Sequence, residues 1–145
     1  MLYSFYSILL LALLNNPVPK VVVEFHQLQT QDDELKFIEK YSSSKSTTEL
    51  PYLYAIQMKQ AEYSYNPYTK LSLFSANKNS LDSLLKVDPS NIHAYYIRVI
   101  TQQKLPSMLI NSDQLEADKE YLRNALDKKD ETDYMDPYIR KYCKL

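Results

Sequence analysis

Apolar residues recur along this chain at intervals of three and four and nowhere alternate with polar ones for long. The plainest series is Leu50, Tyr54, Met58, Ala61 and Tyr65, spaced by four, four, three and four, with Leu53 and Ile56 widening the face. That period gathers apolar side chains on one side of an α-helix. Leu35, Phe37, Ile38 and Tyr41 mark an earlier helix. Leu71, Phe74, Leu81, Leu84 and Leu85 mark the buried side of a longer one, from about Tyr68 to Lys86. Ile92, Tyr95, Tyr96, Val99 and Ile100 carry the next, and Leu115, Leu122, Ala125 and Leu126 the one after it. Tyr134 to Tyr142 adds a short last helix. "VVVEFHQLQ", Val21 to Gln29, is rich in valine, a strand former, but nothing later offers it a pairing strand. A short helix is the reading.

The polar residues between these runs punctuate helices. Thr30 followed by Asp32 and Asp33 supplies a hydroxyl cap and first-turn acids. Ser42 to Thr48 is a polar loop. The following helix starts near Thr48 and carries Pro51 in its first turn, where proline is tolerated. Asn66-Pro67 stops it, because the residue before proline avoids the α region. At Asp88-Pro89-Ser90-Asn91 the proline cannot lie inside a helix and the asparagine caps the next one. A connection this short makes its two flanking helices an antiparallel hairpin. Leu105-Pro106 ends the later of the two, Asp113 to Glu116 reads as a capping box, and "DKKDET" breaks the helix that follows. The expected fold is all-α: antiparallel helical hairpins in an array of five to six helices, with no sheet.

Composition narrows the function classes. The chain of 145 residues holds no glycine, so phosphate-cradling loops, Rossmann turns and nucleophile elbows are disfavoured. Net charge is −1, from 17 basic and 18 acidic residues, which argues against nucleic acid or an anionic membrane surface as partner. Cys143 stands alone near the carboxyl end, an exposed thiol with no disulfide and no zinc site to serve. "LYSFYSILLLALL", Leu2 to Leu14, is uncharged and apolar, is followed by Pro17 and Pro19, and precedes Lys20, the first charge. It is short of the about 20 residues of a membrane span and fits the hydrophobic region of an export signal. Residues 1–19 are therefore read as a signal peptide or apolar anchor and residues 20–145 as a single helical domain. The alternative is a buried first helix of a cytoplasmic domain.

"SLDSLLKVDPSNIHAYYIRVI", Ser80 to Ile100, resembles the junction between two tetratricopeptide repeats. The matching elements are the leucines of a second helix, Asp88-Pro89-x-Asn91, and an aromatic-rich first helix of the following unit. Val99 and Ile100 stand where that repeat carries a small residue. "YSYNPYTKLSLF", "LDSLLKVDPSNIHAYYIRVITQQKLPSML" and "LEADKEYL" together resemble small uncharacterised exported helical proteins of bacteria. The resemblance implies a tetratricopeptide-like array and export, and no activity.

Candidate chemistry is sparse. His26 and His93 begin no HxxxH or HExxH pattern, and His93 reads as a solvated residue on an exposed face. "DKKDETDYMD", Asp127 to Asp136, lacks the glycine and ligand register of a calcium loop and reads as a solvated acidic turn. No metal ligands or cofactor site are expected. Arg98, inside "AYYIRVI", is expected to pair with Asp118, Glu120 or Glu62, or else to receive an acidic group of a ligand. Fourteen tyrosines against four phenylalanines and no tryptophan suit a binding surface. Tyr54 and Tyr65 fall on the core stripe, which leaves Tyr52, Tyr63 and Tyr68, with Arg98, as candidate binding residues. The expected function is a non-enzymatic helical interaction module, periplasmic or secreted, that binds a protein or peptide. The alternatives are a membrane-anchored structural or accessory subunit, and then a helical enzyme with no readable motif.

Overall fold

A computed structural model describes residues 16–145, and within them the chain forms seven α-helices and no strand. They are α1 (Lys20–Gln27), α2 (Gln31–Tyr41), α3 (Leu50–Lys59), α4 (Pro67–Val87), α5 (Ile92–Gln102), α6 (Ser112–Asp127) and α7 (Asp136–Tyr142). Single 3₁₀ turns cover Gln60–Tyr63, Ser107–Leu109 and Asp133–Met135. The all-α expectation holds. The apolar run Leu2 to Leu14, read as an export signal or anchor, lies outside the described residues. No helix among the described residues is long and apolar enough to cross a membrane.

Helix starts follow the side chains that can satisfy free backbone N–H groups. Thr30 accepts from the Asp33 backbone N–H at 3.1 Å, and the Asp33 carboxylate accepts from the Thr30 N–H at 3.1 Å, which completes a capping box at α2. Asn91 opens α5 by accepting from the Ala94 N–H at 3.1 Å, and its amide also donates to the Thr47 carbonyl at 2.7 Å. One side chain thus ties the α4–α5 junction to the α2–α3 loop. α6 starts earlier than the Asp113 box predicts. Asn111 comes first in the chain and takes the Gln114 N–H at 3.1 Å, leaving Asp113 inside the first turn. No residue among those described has positive φ, and no peptide bond among them is cis.

α3 and α5 are buried nearly all round and form the centre. The most extensive packing joins α3 to α4 and α5 to α6, and α3 also touches α1, α2 and α5. α4 and α5, expected to form the main hairpin, meet over a smaller area across Asp88–Asn91. Tyr52, Tyr96, Leu81, Ile97, Leu122, Met135 and Ile139 are withdrawn from water, each aliphatic one contributing about 2 kcal/mol. Val21 and Val22 of α1 are among the buried residues, so burial outweighs the modest helix preference of valine.

Three expected core positions, Leu35, Tyr65 and Leu71, are exposed instead. The α3 face ends at Lys59 because the chain tightens into a 3₁₀ turn, which rotates later residues off the stripe and leaves Tyr65 fully exposed. Leu71 is exposed because the first turns of α4 project past the core. In the other direction, His93 and Cys143 are buried, since α7 and the segment before it fold back over both.

Candidate functional site

An apolar groove of about 220 Å³ lies between α3 and α5, with Phe25 of α1 and Phe74 of α4 also in its lining. Ile56, Met58, Ala61 and Leu105 supply its walls. Lys59, Glu62 and Lys104 reach its lining as the charged groups. Lys59 is held by Glu34, a buried carboxylate of α2 whose other oxygen accepts from Gln60 Nε2 at 2.9 Å. The bond to Glu34 raises the Lys59 pKa. Lys104 has no ion-pair partner among the described residues. A small cavity of about 30 Å³ lies beside the groove and shares Met58, Phe74, Thr101 and Leu105 with it.

From Ala61 and Glu62 the chain continues into the most aromatic exposed stretch of the molecule. Tyr63 is 41% exposed, Tyr65 fully so, Tyr68 83% and Leu71 64%. Glu62 and Phe74, on either side of this stretch in the chain, line the groove. Two of the expected binding tyrosines, Tyr63 and Tyr68, are therefore on the surface. Tyr52 is not: it is wholly buried, because α3 is covered on every side. Burial raises its pKa well above the usual phenol range.

Tyr52 belongs instead to a buried chain of tyrosines and histidines. Its hydroxyl lies 2.7 Å from His93 Nδ1, and His93 Nε2 lies 2.9 Å from the Tyr134 hydroxyl. A second set repeats the pairing, with Tyr96 hydroxyl 2.8 Å from His26 Nε2. The His26 ring stacks on Tyr142 at 4.2 Å and on Tyr138 at 5.1 Å. Desolvation pushes both imidazoles down to about 4, and at His26 the nearby Lys141 and Lys104 add to it. Burial raises the Cys143 thiol to about 12, which leaves it a poor nucleophile.

Arg98 is engaged internally. Its Nε donates to Asp118 Oδ2 at 2.8 Å and its Nη2 to Asp118 Oδ1 at 2.5 Å, a bidentate pair, while Nη1 reaches Asp82 Oδ1 at 3.1 Å. Burial opposes charge on both partners. At Arg98 the Asp118 bonds outweigh it and the pKa rises, whereas at Asp118 burial prevails and the carboxyl is also raised. Of the partners expected for Arg98, Asp118 is the one used, and Asp82 joins it. With two carboxylates already bound, Arg98 is a structural residue between α4, α5 and α6.

The groove itself escaped sequence reasoning, because Phe25, Met58, Phe74 and Lys104 come from four helical segments and share no spacing. No group of three His, Cys, Asp or Glu side chains among the described residues is disposed to hold a metal ion. No protein-family model matches the chain, and no curated protein and no solved structure matches it either.

Proposed function

We propose that this chain is a non-enzymatic interaction module that takes a peptide segment of another protein into the groove between α3 and α5. The carrying observation is an apolar groove whose rim holds the unpaired Lys104. The occupant it suits is a segment with bulky apolar anchors beside an acidic residue, the anchors against Phe25, Met58 and Phe74 and the carboxylate at Lys104. Tyr63 and Tyr68 extend the contact along the α3–α4 side with rigid amphipathic area. We further infer a tetratricopeptide-like arrangement. The pairing of α3 with α4 and of α5 with α6, and the contact between the two leading helices, support it. We also infer export, on the apolar run Leu2 to Leu14 and the prolines that follow it.

Selection from a displayed random-peptide library against the full chain tests the binding reading. The expected peptides combine Leu, Phe or Tyr anchors with Asp or Glu. They should lose binding to Phe74→Arg and to Lys104→Glu proteins whose circular dichroism matches wild type. Enrichment of nothing, or of peptides indifferent to both substitutions, overturns the proposal.

A further inference from the structure

The carboxyl-terminal segment is attached in an unusual manner. The α7 backbone makes no extensive close approach to the other helices, so side chains hold it in place. Met135, Ile139 and Cys143 are its buried anchors. Its remaining ties converge on the two histidines: Tyr134 on His93, and Tyr138 and Tyr142 on His26. The tail then closes on Gln103, which donates to the Tyr142 carbonyl at 3.1 Å and accepts from the Lys144 N–H at 2.6 Å. Gln103 and His26, which the segment engages, are next in the chain to the groove-lining Lys104 and Phe25.

We infer that residues 133–143 form an acid-released strap: protonation of His26 and His93 frees the segment and uncovers Tyr96. The inference stands on the histidine contacts and is independent of what the groove binds.

The chemistry follows from the hydrogen-bond inventory of each ring. A neutral imidazole donates from one nitrogen and accepts at the other, which matches the two hydroxyls on His93. The imidazolium donates from both. Whichever hydroxyl had donated to the ring must then accept from it instead and aim its own proton at another acceptor. For Tyr52 the acceptor within reach is the Met135 sulfur, at 3.9 Å, a weak one. The groups facing His93 are the Tyr52 phenol on α3 and the Tyr134 phenol before α7, with Asp130 and Glu131 beyond the latter. Those facing His26 are Tyr96 from α5, Lys104 from the turn after it, and Tyr138, Lys141 and Tyr142 from α7. Among the described residues no carboxylate hydrogen-bonds either ring, and two lysines oppose a charge on His26. Charging His93 therefore leaves a phenol donor with only a weak acceptor, and charging His26 costs desolvation and sets it against Lys141 and Lys104, so both work against the docked strap.

The docked rings sit at about 4 against an ordinary 6.5, which sets the window for release. The test follows backbone amide resonances of the full chain from neutral pH down through that window. Expected is a collapse of the 136–142 amides to random-coil positions at a pH where α3, α4 and α6 amides remain dispersed. A His26→Phe/His93→Gln protein should keep its strap docked across the same range. Simultaneous loss of strap and central helices in wild type overturns the inference. So does a strap that stays docked throughout, or a double variant that releases at the wild-type pH. The wild-type series alone decides if the double variant does not fold.

Discussion

Arg98→Ala removes the cation bonded to Asp118, and the geometry sets the size of the effect. The Asp118 side chain is 2% exposed and that of Arg98 13%, so the lost bonds are not replaced by bulk water. A buried carboxylate deprived of its partner costs about 3–5 kcal/mol. We expect about 3 kcal/mol at pH 7, since the shorter alanine admits some water to Asp118. The cost should depend on pH in a defined direction. Asp118 is already raised by burial, and without Arg98 it rises further. A carboxyl raised in the folded state binds its proton more tightly there than in the unfolded chain. The variant therefore loses stability as pH climbs through that raised value, and its deficit relative to wild type narrows as pH falls towards 5. Urea unfolding of both proteins at pH 7 and pH 5, followed by helix ellipticity, measures the two deficits. Arg98→Met combined with Asp118→Leu should recover most of the loss, because the buried pair is replaced by apolar groups and Asp82, partly exposed, keeps Lys78. A pH 7 deficit below about 0.5 kcal/mol, or one that does not shrink at pH 5, refutes the ion-pair account.

Three further outcomes are expected. Asn91→Ala should cost about 1–2 kcal/mol, losing both the α5 cap and the tie to Thr47, whereas Asn91→Asp keeps the cap and should cost less; chemical denaturation separates them. Wild-type stability should fall as pH drops from 6.5 to about 4, by about 3 kcal/mol from His93 alone, because the unfolded chain takes up the proton first; His93→Gln should flatten that slope in a denaturation series. Intact mass of protein recovered from cells should correspond to a mature chain starting between Asn15 and Lys20, and a full-length soluble species would defeat the export proposal.

What the sequence disclosed and what it hid divide along the range of the interactions. Thr30 and Asn91 were readable as caps because a cap is decided within three residues of itself. Arg98 and Asp118 were readable because a charge among apolar residues demands a partner, and few carboxylates lay in reach. Tyr52 was misplaced for a definite reason. The period of α3 marks one preferred face, but this helix is covered all round, so a residue off the stripe is buried as well. Tyr65 erred in the opposite sense, since nothing local announces that the helix tightens at Gln60. His93 and Cys143 owe their burial to α7 and its lead-in, more than 40 residues from His93 in the first case. The groove is harder still. Its walls are assembled from α1, α3, α4 and α5, and its composition is that of an ordinary core.

The absence of positive φ among the described residues, in a chain without glycine, also bears on the unfolded state. Ordinary chains carry about 7% glycine, and each such residue widens the unfolded ensemble by roughly 0.4–1 kcal/mol relative to alanine. This chain has no such positions, so its denatured ensemble is the narrower one. Part of its stability then comes from what the unfolded polypeptide cannot explore, and it survives any loss of packing in the fold. It also makes alanine scanning unusually clean here. With no backbone site that only glycine can occupy, each measured loss reports the side chain removed.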